Sequence, residues 1–412
     1  MRRIVHAMCF SVLAASALAG VSAVTATAAP VAAAAASQPS GPAVTGGHHT
    51  CRLDTEGAAW CWGLNDFGQL GDGTEERRYT PTRVATDLTF TSLTLGRNHT
   101  CGVATDGAAW CWGRNEFGQV GDGTTVHRNT PQAVLGGEAF SSLSAGFFQT
   151  CGLVDGPAGQ VSCWGRNNTG QLGDGTKVNR STPAPVVGGQ TFTSVSAHFG
   201  YSCALDDSDQ AWCWGRNDMG QLGDGTFTGR TVPGPSAEGH DFASLIGPSG
   251  THSCGIDTDG VTWCWGSNRY GQLGIGDDSV VGSPTPLEVI TEESGAFTSV
   301  SAGGGYHTCG INADGEAWCW GGNVIGQLGD GTTVDSNRPV QVVLEDGIEL
   351  VSIDTGIYHS CGVDTAGDAW CWGSGGPGQL GDGTHTSSST PLKVADFQDS
   401  EDVDASTEPA AG

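Results

Sequence analysis

The chain has 412 residues, of which 67 are Gly and 13 are Trp, and only 15% are charged. That composition excludes a long-helix or coiled-coil protein. With 44 acidic against 17 basic residues and a formal net charge of -27, the chain offers no basic surface to a phosphate backbone, so nucleic acid is not an expected partner.

The N-terminal segment reads as an address rather than as fold. Arg2 and Arg3 precede an apolar stretch, Ile4 to Val24, and small residues follow at Ala26-Thr27-Ala28-Ala29. This is the pattern of a secretory signal cleaved after Ala28 or Ala29. Residues 1–29 are therefore expected to be a signal peptide and 30–41 a linker. No later run approaches the length of an apolar membrane span.

From residue 42 the chain repeats itself. The string GQLGDGT or a near copy occurs seven times, with its Gln at positions 69, 119, 171, 221, 272, 327 and 379. The fuller unit reads F-x-S-[LV]-x-x-G-x-x-H-[TS]-C-G-[VIL]-x-x-D-G-x-x-W-C-W-G-x-N-x-x-G-Q-L-G-D-G-T, then T-P-x-x-V. A period near 50 residues with Trp-Gly and Gly-Gln signals means repeated sheets. In the third unit the pattern predicts strands at Phe140 to Ala145, Thr150 to Val154, Val161 to Trp164 and Pro183 to Val187, separated by Gly, Asn and Asp clusters. Four short strands cannot bury a face alone, but seven such sheets around an axis can. The expected fold is all-β: a seven-bladed β-propeller of four-stranded antiparallel blades over 42–397, followed by an acidic disordered tail at 398–412. Ring closure is the open point, because the first unit has only a short inner strand around Ala43-Val44-Thr45.

Of 15 cysteines, Cys9 lies in the leader and 14 remain, two per unit. They pair as Cys51 with Cys61, Cys101 with Cys111, Cys151 with Cys163, Cys203 with Cys213, Cys254 with Cys264, Cys309 with Cys319 and Cys361 with Cys371. A hairpin turning at Thr105-Asp106-Gly107 sets Cys101 opposite Cys111, within reach of a disulfide. The third unit keeps this register by adding one residue on each side of Pro157. Zinc sites favour closer Cys spacing, and an exported protein oxidises its thiols, so seven intrablade disulfides are expected and no metal. Two Trp flank the second Cys of each unit, except where Ser162 replaces one. Strand alternation puts them on the face opposite the Cys, where packing between blades explains their repetition.

These motifs, G-x-x-H-T-C-G-V, D-G-x-x-W-C-W-G and N-x-x-G-Q-L-G-D-G-T, resemble the regulator of chromosome condensation repeat family across nearly the whole chain after the leader. The resemblance implies a seven-bladed propeller. The family's best-known members are nuclear exchange factors for a small GTPase that also dock on chromatin; other members are secreted or membrane-linked. None of the exchange residues can be placed on this sequence.

No enzyme constellation is present: G-x-S-x-G and H-E-x-x-H are absent, and Gly170 to Lys177 has the wrong order for a phosphate loop. His49, His99, His252, His307 and His359 share one repeat position, with Gln149 and Tyr201 replacing it elsewhere, and are expected to hydrogen-bond neighbouring turns. Asp72, Asp122, Asp174, Asp224, Asp330 and Asp382 suit a turn better than calcium, since Ile275 takes that place in the fifth unit. No cofactor is implied. If repeated positions hold the scaffold, function lives where blades vary. First and third turns emerge on one side of a blade. They carry Phe147, Phe148, Phe199, Tyr201, Tyr306 and Tyr358, and Phe67, Phe117, Met219, Tyr270 and Ile325. This aromatic face suits protein recognition. The expected protein is a secreted, monomeric, non-catalytic binder of an unidentified protein, acting as inhibitor, adhesin or surface scaffold. The alternatives are nucleotide-exchange activity, from the resemblance, and a carbohydrate-binding or carbohydrate-active propeller.

Overall fold

The computed structural model describes residues 41–156, 158–246 and 250–397. The expected leader, nearly all of the linker, the acidic tail and the Pro157 turn position lie outside them. The described chain forms seven four-stranded antiparallel sheets, each built from four consecutive strands. The second blade is representative: Phe90–Leu95 innermost, then His99–Ala104, Ala109–Gly113 and, at the rim, Arg128–Ala133. The two middle strands are almost wholly buried, whereas the outer strand is mostly accessible. The composition follows that gradient, with H-T-C-G and A-W-C-W-G inside and R-N-T-P-Q-A outside.

The central hairpin takes the register its turn requires. Val103 pairs with Ala109 and Cys101 with Cys111, while Gly107 sits at φ 83°. A side chain is strained in that left-handed conformation, so the turn needs its glycine. In the third blade Cys151 still opposes Cys163 despite the two added residues. The same opposition places Cys203 across from Cys213, Cys254 across from Cys264 and Cys309 across from Cys319. Every pair is bonded within its blade: Cys51 to Cys61, Cys101 to Cys111, Cys151 to Cys163, Cys203 to Cys213, Cys254 to Cys264, Cys309 to Cys319 and Cys361 to Cys371. Their Cα–Cα separations are 4.0–4.1 Å.

The outer strand differs from expectation. In the third blade it runs Arg180–Pro185, not Pro183 to Val187, and Arg180 pairs with Gly165 across a bulge. Apolar content misplaced it. An edge strand needs only one hydrogen-bonding partner, so a polar stretch containing Pro can serve.

Because Cys and Trp alternate along the third strand, each blade presents its disulfide to one neighbour and its Trp to the other. Cys51, Cys61 and Leu70 of the first blade share a core with Phe90 and Trp112 of the second. The same arrangement recurs at other interfaces: Cys101 and Cys111 pack with Phe140 and Trp164, and Cys254 and Cys264 with Phe297 and Trp320. The buried Trp also ties the blades by hydrogen bonds: Trp112 Nε1 donates to the Gln69 carbonyl (3.0 Å), and Thr100 Oγ1 donates to the same oxygen (2.8 Å).

The ring closes by this interface repeated once more, and among the described residues no strand is exchanged between the first and last blades. The first inner strand is only Val44–Thr45. Trp62 shares a core with Cys361 and Cys371 of the seventh blade, and its Nε1 donates to Gln379 O (3.0 Å). Thr45 N donates to Asp354 Oδ2 (2.7 Å). In other blades a hydroxyl does this work: Ala145 N donates to Thr94 Oγ1 and Ala197 N to Ser144 Oγ. At the seam a carboxylate, one atom longer than a hydroxyl, reaches the short first strand.

Candidate functional site

The upper face is formed by the first and third turns of every blade, and backbone hydrogen bonds hold the two turns together. Leu64 N donates to His48 O, Arg114 N to Asn98 O, Arg166 N to Phe148 O and Gly322 N to Tyr306 O. The long third turn is organised by its own side chains. Asn65 Oδ1 accepts from Leu70 N (2.9 Å), and Asn65 Nδ2 donates to Asp72 Oδ1 (3.1 Å). Gln69 Oε1 accepts from Phe67 N (3.0 Å), which fixes the backbone of the variable residue. The equivalent Gln side chains hold Phe117, Met219, Tyr270 and Ile325 in the same way. Repeated residues thus build a rigid mount, and one position per blade is left to vary.

Of the eleven residues expected on this face, nine reach its surface. Tyr270 is exposed; Phe67, Phe117, Phe148, Phe199, Met219, Tyr306, Ile325 and Tyr358 are half-buried. Phe147 and Tyr201 are corrected to interior residues. Phe147 is 7% exposed and packs 4.5 Å from the Phe199 ring. Tyr201 is fully buried, and its hydroxyl donates to His252 O (2.7 Å) of the next blade. It occupies the repeat position of the buried histidines, and that position points between blades.

The surface aromatics form two groups. Tyr306 contacts both Tyr270 (4.8 Å between ring centres) and Tyr358 (5.9 Å), and Tyr358 stacks on His48. Burial first, then Arg97 and Arg77, push the His48 imidazole down to about 4, so it is neutral at pH 7. The other group centres on Phe148, which lies 5.4 Å from Phe117 and 6.0 Å from Phe147. Guanidinium groups surround it. Arg114 lies 5.2 Å from the Phe148 ring centre, Arg166 5.3 Å and Arg97 5.9 Å. Arg114 also stacks on Phe67 (4.9 Å), Arg166 on Phe117 (5.1 Å) and Arg216 on Phe199 (5.2 Å).

The sequence reading missed these arginines. A signal was available: Arg114, Arg166 and Arg216 occupy the same position, W-G-R-N, in three consecutive units. It also missed apolar residues in the third-turn loops, where Val126, Val178, Phe227 and Val334 are 58–70% exposed. They follow the G-D-G-T motif closely.

Comparison with known proteins fits this architecture. A model of the RCC1-like domain matches residues 134–410, and the regulator of chromosome condensation (RCC1) repeat matches 56–103 and 106–153. The chain belongs to the RCC1-like family. It is 29% identical over 230 residues to the ultraviolet-B receptor UVR8 of Arabidopsis thaliana, an alignment covering 55% of this chain and 51% of that protein. The chain therefore spans about half the length of this relative. Among solved structures it resembles human WBSCR16, with TM-score 0.73, 20% identity and coverage of 82% and 94% of the two chains. It also resembles Prp20p of Saccharomyces cerevisiae, with TM-score 0.68, 22% identity and coverage of 76% and 80%. At such identities the structural likeness concerns the fold alone.

The remaining candidates of this RCC1-like chain belong to its scaffold. The repeated histidines bond to the next blade's strand, not to a turn: His49 Nε2 lies 2.9 Å from Thr100 Oγ1 and His99 Nε2 3.0 Å from Thr150 Oγ1. Each Thr hydroxyl has one proton, and it goes to a Gln carbonyl. The imidazole must therefore donate through Nε2, which leaves a neutral ring with an unprotonated Nδ1. Burial pushes His49, His99, His198 and His307 down to about 3 and His252 to about 4, and holds His359 well below its usual range. Asp72 is a turn residue: its Oδ1 accepts from Thr74 N and Thr74 Oγ1, and its Oδ2 from Arg78. Among the described residues, no group of three or more His, Cys, Asp or Glu is placed to hold a metal ion.

Proposed function

We propose that this chain is an exported, non-catalytic propeller that recognises a protein partner through its upper face, as an inhibitor, adhesin or surface scaffold. The observation that carries this reading is the combination of rigid, individually varied third turns with two aromatic groups on one face, one of them ringed by arginines. Aromatic and Arg side chains dominate the energetics of protein interfaces. They do so here on mounts that lose little freedom on binding, because the Asn and Gln side chains already fix the backbone. Export is supported by the leader-like N-terminal sequence and by a cysteine inventory paired within blades, which suits an oxidising compartment. Partner proteins are familiar to the fold: Prp20p binds Gsp1p and histones. A nucleotide-exchange role draws on fold likeness only, and no exchange residue can be assigned.

Photo-crosslinking tests the surface. A benzophenone amino acid at position 67 or 270 is expected to capture a partner protein from the native medium. The same group at position 106 or 259, in the second turns on the opposite side, is expected to capture none. Capture from the lower turns alone, or from neither side, overturns the proposal.

A further inference from the structure

The arrangement around Phe148 is electrostatically unbalanced. Three guanidinium groups lie within 6 Å of one ring, at 5.2, 5.3 and 5.9 Å. Each is attracted by the ring's quadrupole, but the three charges repel one another. Carboxylates could relieve this, and the chain has 44 of them against 17 basic residues. At several other arginines they do: Arg78 pairs with Asp72, Arg128 with Asp122, Arg180 with Asp174 and Arg77 with Asp66, while Arg83, Arg269 and Arg338, like the cluster, have no ion pair among the described residues. At Phe148 only Arg114 has an acid, Glu116. Among the described residues, Arg97 and Arg166 make no ion pair, and Arg97 Nε is buried without a hydrogen-bond partner. What sets the Phe148 cluster apart is convergence: three guanidinium groups share one ring and have one carboxylate among them.

We infer that the Phe148 cluster receives carboxylates of an acidic polypeptide segment, with Arg97 and Arg166 as the principal anchors. A guanidinium over a ring keeps its in-plane donors free of the ring; with Nε buried, Arg97 has its terminal Nη groups to offer a carboxylate. A planar fork held this way matches a carboxylate bidentately, with little further ordering. The net charge of -27 disfavours a densely charged polymer such as nucleic acid. A peptide carries its carboxylates among apolar groups, and those fit the adjoining Phe67 and Phe117. This inference rests on the upper face being a protein-recognition surface and names the chemistry it recognises.

The test uses the oxidised protein and a fluorescein-labelled peptide of three Glu-Leu-Gly repeats, with three Gln-Leu-Gly repeats as the uncharged control. The Glu peptide is expected to bind more tightly than the Gln peptide at low ionic strength and to lose that advantage as salt is added. The double variant R97Q/R166Q should lose about tenfold or more in affinity, the loss expected for removing charge-assisted bonds. R166K keeps the charge but not the fork, and should fall between. R83Q, on the outer strand, should bind like the parent. Should the double variant not fold, the R166K comparison decides. No preference for the Glu peptide over the Gln peptide, full binding by R97Q/R166Q and R166K, or preferential binding of a heparin decasaccharide or of phosphatidylglycerol vesicles would each overturn the inference. The two readings separate cleanly. A partner crosslinked from position 67 whose capture is indifferent to R97Q/R166Q leaves the surface standing and removes its acidic specificity. Capture from the lower turns alone removes the surface itself.

Discussion

His359 Nε2 lies 3.0 Å from Thr50 Oγ1, joining the last blade to the first across a sequence separation of 309 residues. The same Thr50 hydroxyl donates to Gln379 O (2.9 Å), and Trp62 Nε1 donates to that carbonyl. The seam therefore repeats the bonds found at internal interfaces, so closure does not depend on a strand supplied from elsewhere.

Replacing His359 by Ala removes a buried donor and opens a space beside Thr50. The variant is expected to lose about 2–4 kcal/mol of stability, the range for combined hydrogen-bond loss and cavity formation. H99A, at an internal interface, should lose a similar amount. Urea unfolding of both variants checks this; an H359A midpoint equal to the parent's would show that the seam bond contributes nothing.

Acidification should destabilise the fold below neutrality. Six buried histidines (49, 99, 198, 252, 307 and 359) titrate well below the ordinary value of 6.5 in the folded chain because burial opposes their charge. The unfolded chain takes up protons below about pH 6.5 and the folded chain does not. Their contribution is complete above that pH and is lost as pH falls toward 3–4. Each histidine costs up to about 1.4 kcal/mol per pH unit in this window. Asp354, held above the usual carboxylate range by burial, works in the opposite direction, but it is a single group. Urea midpoints at pH 7.5, 6 and 5 should fall in that order, and a flat series would contradict the neutral-imidazole assignment.

Gly96 and Gly73 should respond very differently to alanine. A Cβ at Gly96 would come 2.2 Å from His99 Cε1 and 2.3 Å from Gly146 O, and the carbonyl belongs to the next blade's backbone. At Gly73 nothing lies within 4 Å, and only the left-handed φ of +83° is strained. G96A is expected to cost more than about 3 kcal/mol or to prevent folding, and G73A about 1 kcal/mol. Equal thermal midpoints for the two would refute this crowding around the axis.

Removing one disulfide as C101A/C111A should cost about 2–3 kcal/mol, near the low end for disulfides because its loop is short and already a hairpin. Peptide mapping of the unreduced protein should yield only intrablade links, such as Cys203 to Cys213 and Cys309 to Cys319. A cystine joining two repeats would contradict the register.

Much of the fold was legible because the chain states its unit seven times. Cys101 opposite Cys111 followed from counting residues around one turn, and alternation put the Trp side chains between blades; that they pack there on the neighbouring disulfide came from the structure. The outer strand was displaced because its place is set by an edge pairing that polar residues satisfy as well as apolar ones. On the face, Tyr201 was assigned by residue type although its repeat position belongs to the buried histidines. The arginines around Phe148 went unnoticed because the cluster draws on three blades: Phe67 comes from the first, Arg97, Arg114 and Phe117 from the second, and Phe148 and Arg166 from the third.

By itself the sequence determined the repeat, the strand order within each blade and the cysteine partners, since all of these are local: neighbours in space are neighbours within one unit. Only the tertiary structure decided how the ring closes, which aromatics reach solvent and which charges meet. Those outcomes depend on contacts between units, where Asp354 reaches the first blade and three separated arginines find one phenyl ring.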